Sequence, residues 1–330
     1  MSGQPRLAAA RSAGLRPAKS WQRNRRAGPE DGAPRRWFFR AFLVFVSAAL
    51  LGACASRPPA EPAPVTLRVM SYNIRHGRGL DDRVDLPRIA GVIRDAQADV
   101  VLLQEVDRGT PRTDRRDLAA ELAALTGMHA VFSRNIPYQG GEYGNATLSR
   151  FPVVAWTNLH YRMLRPGEQR GLLQLTAEVA GHGRVQFWNT HMDYRPDDAE
   201  RLSNVAEINA LLARTTEPVI LGGDFNDTPG SRVHAALGER WQDAWLVAGE
   251  GDGFTIPADR PARRIDYLWT PRGSPWRATR AWVPETEASD HRPVVVEFVA
   301  AGNAPGSARR DRSSGPERPA DERRDARRAN

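Results

Sequence analysis

Asp224 and Asn226, two residues apart, follow directly on the apolar run Pro218-Val219-Ile220-Leu221 and the pair Gly222-Gly223. Apolar, β-branched residues that meet two glycines and then polar groups describe a buried strand leaving the core, where chemistry is most easily placed. On an extended backbone, positions i and i+2 point the same way, so the carboxylate and the carboxamide would face one point. Farther on, Ser289-Asp290-His291-Arg292-Pro293 enters the apolar Val294-Val295-Val296, the mirror arrangement. An acid, an amide and an Asp-His pair are the parts that metal-assisted phosphoester hydrolysis needs.

Strands and helices in alternation must carry these groups. Period-two or continuous apolar runs predict strands over 66–71, 99–106, 145–148, 172–179, 185–189, 219–221, 265–269 and 294–298. Helical spacing predicts helices over 86–96, 118–126 (stopped by Gly127) and 197–212, the last with an acidic first turn. Strands outnumber helices and many are joined by hairpin-length loops, which points to two stacked sheets with helices outside rather than a parallel Rossmann sheet. At the strand ends stand Asn73, Glu105, Asn145, Asn189, His191, Asp224, Asn226, Asp266, Asp290 and His291. A core strand that ends in Asp, Asn or His delivers that group to a common sheet edge, so the set reads as one site.

Length and charge divide the chain. Its 330 residues carry a net charge of +8, but residues 65–299 hold 28 Lys and Arg against 31 Asp and Glu, so the basicity lies in the ends. A domain that grips nucleic acid mainly through phosphates would carry an excess of cations. Residues 1–53 read as an export signal: a long basic leader, the twin-Arg-like Arg35-Arg36 and an apolar run from Ala41 to Leu51, too short to span a bilayer. The following Leu51-Gly52-Ala53-Cys54 resembles a bacterial lipobox, which implies a lipid on Cys54, the one cysteine of the chain. Residues 54–65 are a proline-rich tether, 66–299 one domain, and 300–330 an Arg-rich tail without aliphatic residues, expected to be disordered.

Taken together, Met70-Ser71-Tyr72-Asn73-Ile74, Leu103-Gln104-Glu105-Val106, Tyr143-Gly144-Asn145-Ala146, Asn189-Thr190-His191, Gly223-Asp224-Phe225-Asn226, Arg264-Ile265-Asp266-Tyr267 and Ser289-Asp290-His291 resemble the endonuclease/exonuclease/phosphatase superfamily, in that family's order. The resemblance implies an α/β fold, a four-layer α/β sandwich of two stacked mixed β-sheets flanked by helices. It implies Mg²⁺ (or Mn²⁺) held by Glu105, with Asn73 and Asp290 completing the metal site. It makes His291 the acid/base or phosphate-contacting histidine, oriented by Asp266, and Asp224, steadied by Asn226, the group that orients and deprotonates water. His191 and Asn145 would bind the phosphate. Arg170, just before the strand at 172, is a further candidate for that contact by its fork of donors, and Glu142 is a candidate to orient His191.

The chain therefore reads as an exported, lipid-anchored, divalent-metal-dependent phosphoester hydrolase, monomeric and facing the periplasm, with the outer membrane favoured over the inner because Ala55 follows Cys54. The tether favours phospholipid or glycosyl-phosphoinositide-like headgroups as substrate, and the compact form with Gln169-Arg170-Gly171 resembles the branch linked to remodelling of glycosyl-phosphoinositide anchors. An exported nuclease and a non-catalytic envelope binding module are the alternatives.

Overall fold

The computed structural model describes residues 63–300. The export segment, Cys54, nearly all of the tether and the tail beyond residue 300 lie outside the described residues.

The first sheet contains β1 (Val65–Asn73), β2 (Val100–Arg108), β3 (His129–Tyr138), β4 (Gly141–Ser149), β11 (Arg277–Trp282) and β12 (Val294–Ala300), in the spatial order β11-β12-β1-β2-β4-β3. The second contains β5 (Val153–His160), β6 (Gly171–Val179), β7 (Gly183–His191), β8 (Val219–Asp224), β9 (Trp241–Asp243) and β10 (Asp266–Pro271), in the order β5-β6-β7-β8-β10-β9. Each sheet has one parallel pair, β1 with β2 and β7 with β8, and is otherwise antiparallel.

Side-chain alternation sorts the apolar residues into three cores. Between the sheets, Leu67, Val69, Val100 and Leu102 meet Leu173, Leu175, Phe187, Ile220 and Leu268. On the outer face of the first sheet, Met70, Tyr72, Val101 and Leu103 pack on the helices α1 (Leu86–Asp95) and α2 (Leu118–Thr126). On the outer face of the second, Trp188, Val219, Leu221 and Trp269 pack on α3 (Ala199–Leu212) and α4 (Arg232–Gly238). The fold is thus a four-layer sandwich of two mixed sheets and flanking helices. The Asp85 side chain caps α1 by accepting from the Arg88 N–H, and Gly127 ends α2 at φ +70°, where a side chain would be strained.

The predicted strands are all present and each runs past its predicted bounds at one end or both, though β2 and β10 start one residue later than predicted. The four strands missed are the four sheet edges: β3, β9, β5, which is largely exposed, and β11, which carries Arg277 and Arg280. An edge strand exposes one side to water, so neither alternation nor an apolar run marks it. Gly222 has a packing cause. A Cβ there would come within 2.6 Å of Leu268 and 2.7 Å of Leu102, so the missing side chain lets the two sheets close on each other.

Candidate active site

Along β1 the inward positions are Leu67, Val69, Ser71 and Asn73; along β7 they are Val185, Phe187, Asn189 and His191. The same parity places Asp224 after Ile220 and Gly222 on β8, and Asp266 before Leu268 on β10. At one end of the gap between the sheets, the apolar filling therefore gives way to buried polar groups on neighbouring strands. Glu105 is the exception. Parity with Val101 and Leu103 would turn it outward toward the helices, but β2 bulges between Leu103 and Val106 and Glu105 takes a left-handed φ of +59°. Such a bulge re-aims a side chain at the cost of local strain.

The groups meet. Asn73 donates from Nδ2 to Glu105 Oε1 at 3.1 Å and to Asp224 Oδ2 at 3.1 Å, joining the two sheets. His291 Nδ1 lies 2.9 Å from Asp266 Oδ2, and its Nε2 is 3.8 Å from Asp224 Oδ2. His191 Nε2 approaches the same Asp224 oxygen at 3.5 Å. Asp290, half-buried, accepts from Ser289 Oγ at 3.2 Å and lies 3.6 Å from Arg75 Nε. Arg170 is 6% exposed; its Nη1 is 3.0 Å from Glu168 Oε1, while its Nε is buried without a hydrogen-bond partner. Asn145 reaches only backbone, the carbonyls of Asn189 and Gly171 at 3.4 and 3.5 Å, and its Oδ1 is buried without a partner.

Two expectations change. Asn226 does not share a strand face with Asp224: β8 ends at Asp224 and Asn226 is left-handed at φ +51°. It holds the carboxylate through its backbone N–H, 2.9 Å from Asp224 Oδ1, while its amide donates to the Met192 carbonyl. Glu142 does not orient His191; it pairs with Arg108 and Arg134 at the surface end of β4. Two contributors had no assigned role. Gln104 donates to Asn189 Oδ1 at 2.7 Å, and Asn189 in turn donates to the Leu103 and Ala146 carbonyls, a buried tie between the sheets. Ser289 Oγ donates to the Asn73 carbonyl at 2.8 Å. The inward parity of Gln104 with Val100 and Leu102 was the available signal for the first.

The family model for the endonuclease/exonuclease/phosphatase family matches residues 70–291, which takes in Asn73 through His291. The chain belongs to the endonuclease/exonuclease/phosphatase family. Among curated proteins it is similar to the uncharacterized protein YbhP of Escherichia coli, 26% identical over 260 residues that cover 73% of this chain and 99% of YbhP. It is also similar to a 5'-tyrosyl-DNA phosphodiesterase of Caenorhabditis elegans, 27% identical over 63% of this chain and 58% of that protein. Among solved structures, a family member from Beutenbergia cavernae superposes with a TM-score of 0.60 at 25% identity, covering 72% of each chain. A mannosyl-6-phosphatase from Bacteroides thetaiotaomicron shares the fold, with a TM-score of 0.60 at 19% identity over 70% of this chain and 99% of that one. The protein is a phosphoester hydrolase of this family.

Electrostatics divide the site into a protonated and an unprotonated part. Burial, with the Asp266 carboxylate beside it, pushes Asp224 up to about 7, against the pull of His291. Burial alone would lower His291, but the Asp266 carboxylate and its hydrogen bond override it and raise the imidazole to about 10, with Asp224 adding to the effect. His191 is held well below its ordinary value by burial and by the Arg170 and His291 charges, so it is neutral. Burial raises Glu105, Asn73's hydrogen bond opposes it, and the charge of Asp290 raises it further.

Two groups of side chains could hold a cation. Asp224, Asp266 and His291 bring ligand atoms within 4.8 Å of one another. In the second group, Glu105 and Asp290 offer hard oxygens that bear on each other electrostatically, the pattern a divalent cation relieves. In the first group His291 Nδ1 is already taken up by Asp266 Oδ2 at 2.9 Å. Asn73 turns its NH₂ to Glu105, and its Oδ1 accepts from the Arg75 N–H at 3.1 Å with a second lone pair to spare.

Proposed function

We propose that the protein is an exported, lipid-anchored, divalent-metal-dependent phosphoesterase acting on phospholipid or glycosyl-phosphoinositide-like headgroups at the cell envelope. The observation that carries the hydrolytic part is the Asn73 amide bridging Glu105 and Asp224, which couples an oxygen-donor group to an acid/base group in one buried cluster. The envelope part rests on the Arg35 to Cys54 segment and the proline-rich tether.

Mg²⁺ or Mn²⁺ would be held by Glu105, with Asn73 and Asp290 completing the site. Bound there, the ion supplies Lewis acidity toward a phosphate oxygen. The chain's own groups do the rest. Asp224, ionised above about 7 and fixed by the Asn226 and Asn73 donors, accepts the proton of the attacking water. Asp266 accepts the Nδ1–H hydrogen bond of His291 and favours its imidazolium, so that Nε2–H is the proton it offers to the reacting phosphate. Arg170, neutral His191 and Asn145 line the other side of that position and hold the phosphate oxygens.

The test is release of phosphate or headgroup by the full chain, with Mg²⁺, Mn²⁺ or EDTA, from bis-p-nitrophenyl phosphate, mixed phospholipid vesicles and plasmid DNA. EDTA-sensitive turnover of vesicle lipid without DNA nicking is the expected result. Efficient nicking at physiological salt would replace the lipid reading with the nuclease reading, which the similarity to a tyrosyl-DNA phosphodiesterase favours.

A further inference from the structure

We propose that the rim beside Glu105 carries a second subsite, built from His76, Arg112, Tyr138 and Tyr143, that takes a polyol ring, a sugar or cyclitol, esterified to the reacting phosphate. This rests on the hydrolase reading and assigns the alcohol half of its substrate.

The subsite grows out of the same bulge that re-aims Glu105. Beyond it, Asp107 is fully buried and pairs in register with Tyr143 on β4. Its carboxylate accepts from Arg112 Nε at 2.7 Å and Nη2 at 2.8 Å, and from Thr110 Oγ1 at 2.6 Å. This fork leaves Arg112 charge-balanced and fixes its plane. The guanidinium lies over the Tyr138 ring at 4.6 Å and the Tyr143 ring at 5.6 Å.

His76, on the loop that follows β1, completes the group. It is 8% exposed, left-handed at φ +46°, and its Nδ1 is buried without a hydrogen-bond partner. Burial, then the nearby Arg112 charge, holds the imidazole at about 4, so it is neutral at working pH and can donate or accept through that nitrogen. A strained, buried and unpaired imidazole is retained where a partner arrives from outside.

Three ligand chemistries compete for such a rim. A second phosphate needs an uncompensated cation, and Arg112 is spent on Asp107. A nucleobase needs an open aromatic face, and the two rings stand 6.0 Å apart at 49° with Arg112 already over both. Hydroxyl groups around a neutral ring need what is present: a neutral imidazole nitrogen, a phenol and a guanidinium edge, without net charge.

Calorimetric titration of the full chain in Mg²⁺ with glucose 6-phosphate, myo-inositol 1-phosphate, phenyl phosphate and thymidine 5'-monophosphate reads the subsite without requiring turnover. At least one polyol ester should bind about tenfold tighter than phenyl phosphate and thymidine monophosphate, and Tyr143→Phe and His76→Asn should each reduce that ratio several-fold. Equal affinity of the wild-type protein for all four would overturn the proposal whatever the variants do. Tighter binding of the nucleotide would assign the rim to nucleic acid and also overturn it. Assaying kcat/KM on the same esters separates this from the hydrolase reading. Selective binding with no turnover of any ester sinks that reading and leaves the subsite. Turnover without selectivity does the reverse.

Discussion

The two sheets contribute to the active site by different means. The second delivers His191, Asp224 and Asp266 from regular strand ends, where parity with the inter-sheet core already points them inward. The first delivers Glu105 only through a bulge and a left-handed residue, beside an Asn73 that regular parity supplies. The regular sheet holds most of the proton-handling groups, whose mutual distances set their pKa values. The distorted sheet holds the principal oxygen donor, placed where neither face of an undisturbed strand would put it. Neither sheet is sufficient, because the Asn73 amide that links the halves needs both.

Breaking the proton-handling groups, Asp224 at the end of β8 in the second sheet and His291 in the loop before β12 of the first, has the largest expected effect. Asp224→Asn and His291→Ala should each lower kcat on bis-p-nitrophenyl phosphate by at least about a thousandfold, the order for loss of a general base or a transition-state donor. Near-normal turnover by either would refute the assignment. Breaking the first sheet's contribution should show in metal dependence. Glu105→Gln should raise the Mn²⁺ concentration for half-binding by about tenfold or more in a calorimetric titration, whereas Asp224→Asn should leave it close to wild type. Equal losses in both variants would place the ion at Asp224, Asp266 and His291 instead.

Asp266→Asn sharpens the contrast through pH. The alkaline limb of the wild-type rate profile should lie near pH 10, where His291 loses its proton, and should move to lower pH in the variant, since burial is then opposed only by the Asp224 and Asp290 charges. His291's folded value is raised above its unfolded 6.5. Its contribution to stability is therefore complete below 6.5 and is lost as pH rises through about 10. The melting-temperature advantage of wild type over Asp266→Asn should shrink across that window. An advantage independent of pH would mean the pair acts only through packing.

The smallest expected effect concerns the tie between the sheets. Asn189→Leu removes the amide's two hydrogen bonds to the buried Leu103 and Ala146 carbonyls. Urea unfolding should show a loss of about 1–3 kcal/mol. A loss below that range would mean the sheets hold their spacing by apolar packing alone.

Much of this architecture is legible in the sequence. Period-two alternation named the core strands because a buried face leaves an apolar record at every second position, and Gly127 marked the end of α2 because a left-handed cap disfavours a side chain. The edge strands β5 and β11 left no such record. Strand ends in Asn, Asp and His announced a common site, since polar groups at the ends of core strands converge at one edge. The sequence alone thus determined the residue types, their order along the chain and the class of chemistry they could do.

Tertiary structure decided the rest. The inward turn of Glu105 depends on a bulge in the β2–β4 register, which is a property of two strands together. The protonation of His291 depends on an Asp266 carboxylate 2.9 Å away but 25 residues distant in the chain. The left-handed backbone of Asn226, which converts an expected side-chain partner into a backbone donor, follows from how β8 leaves the sheet beside Met192. Each is a distance or an angle between segments, and a linear order of residues carries neither until packing closes the two sheets on each other.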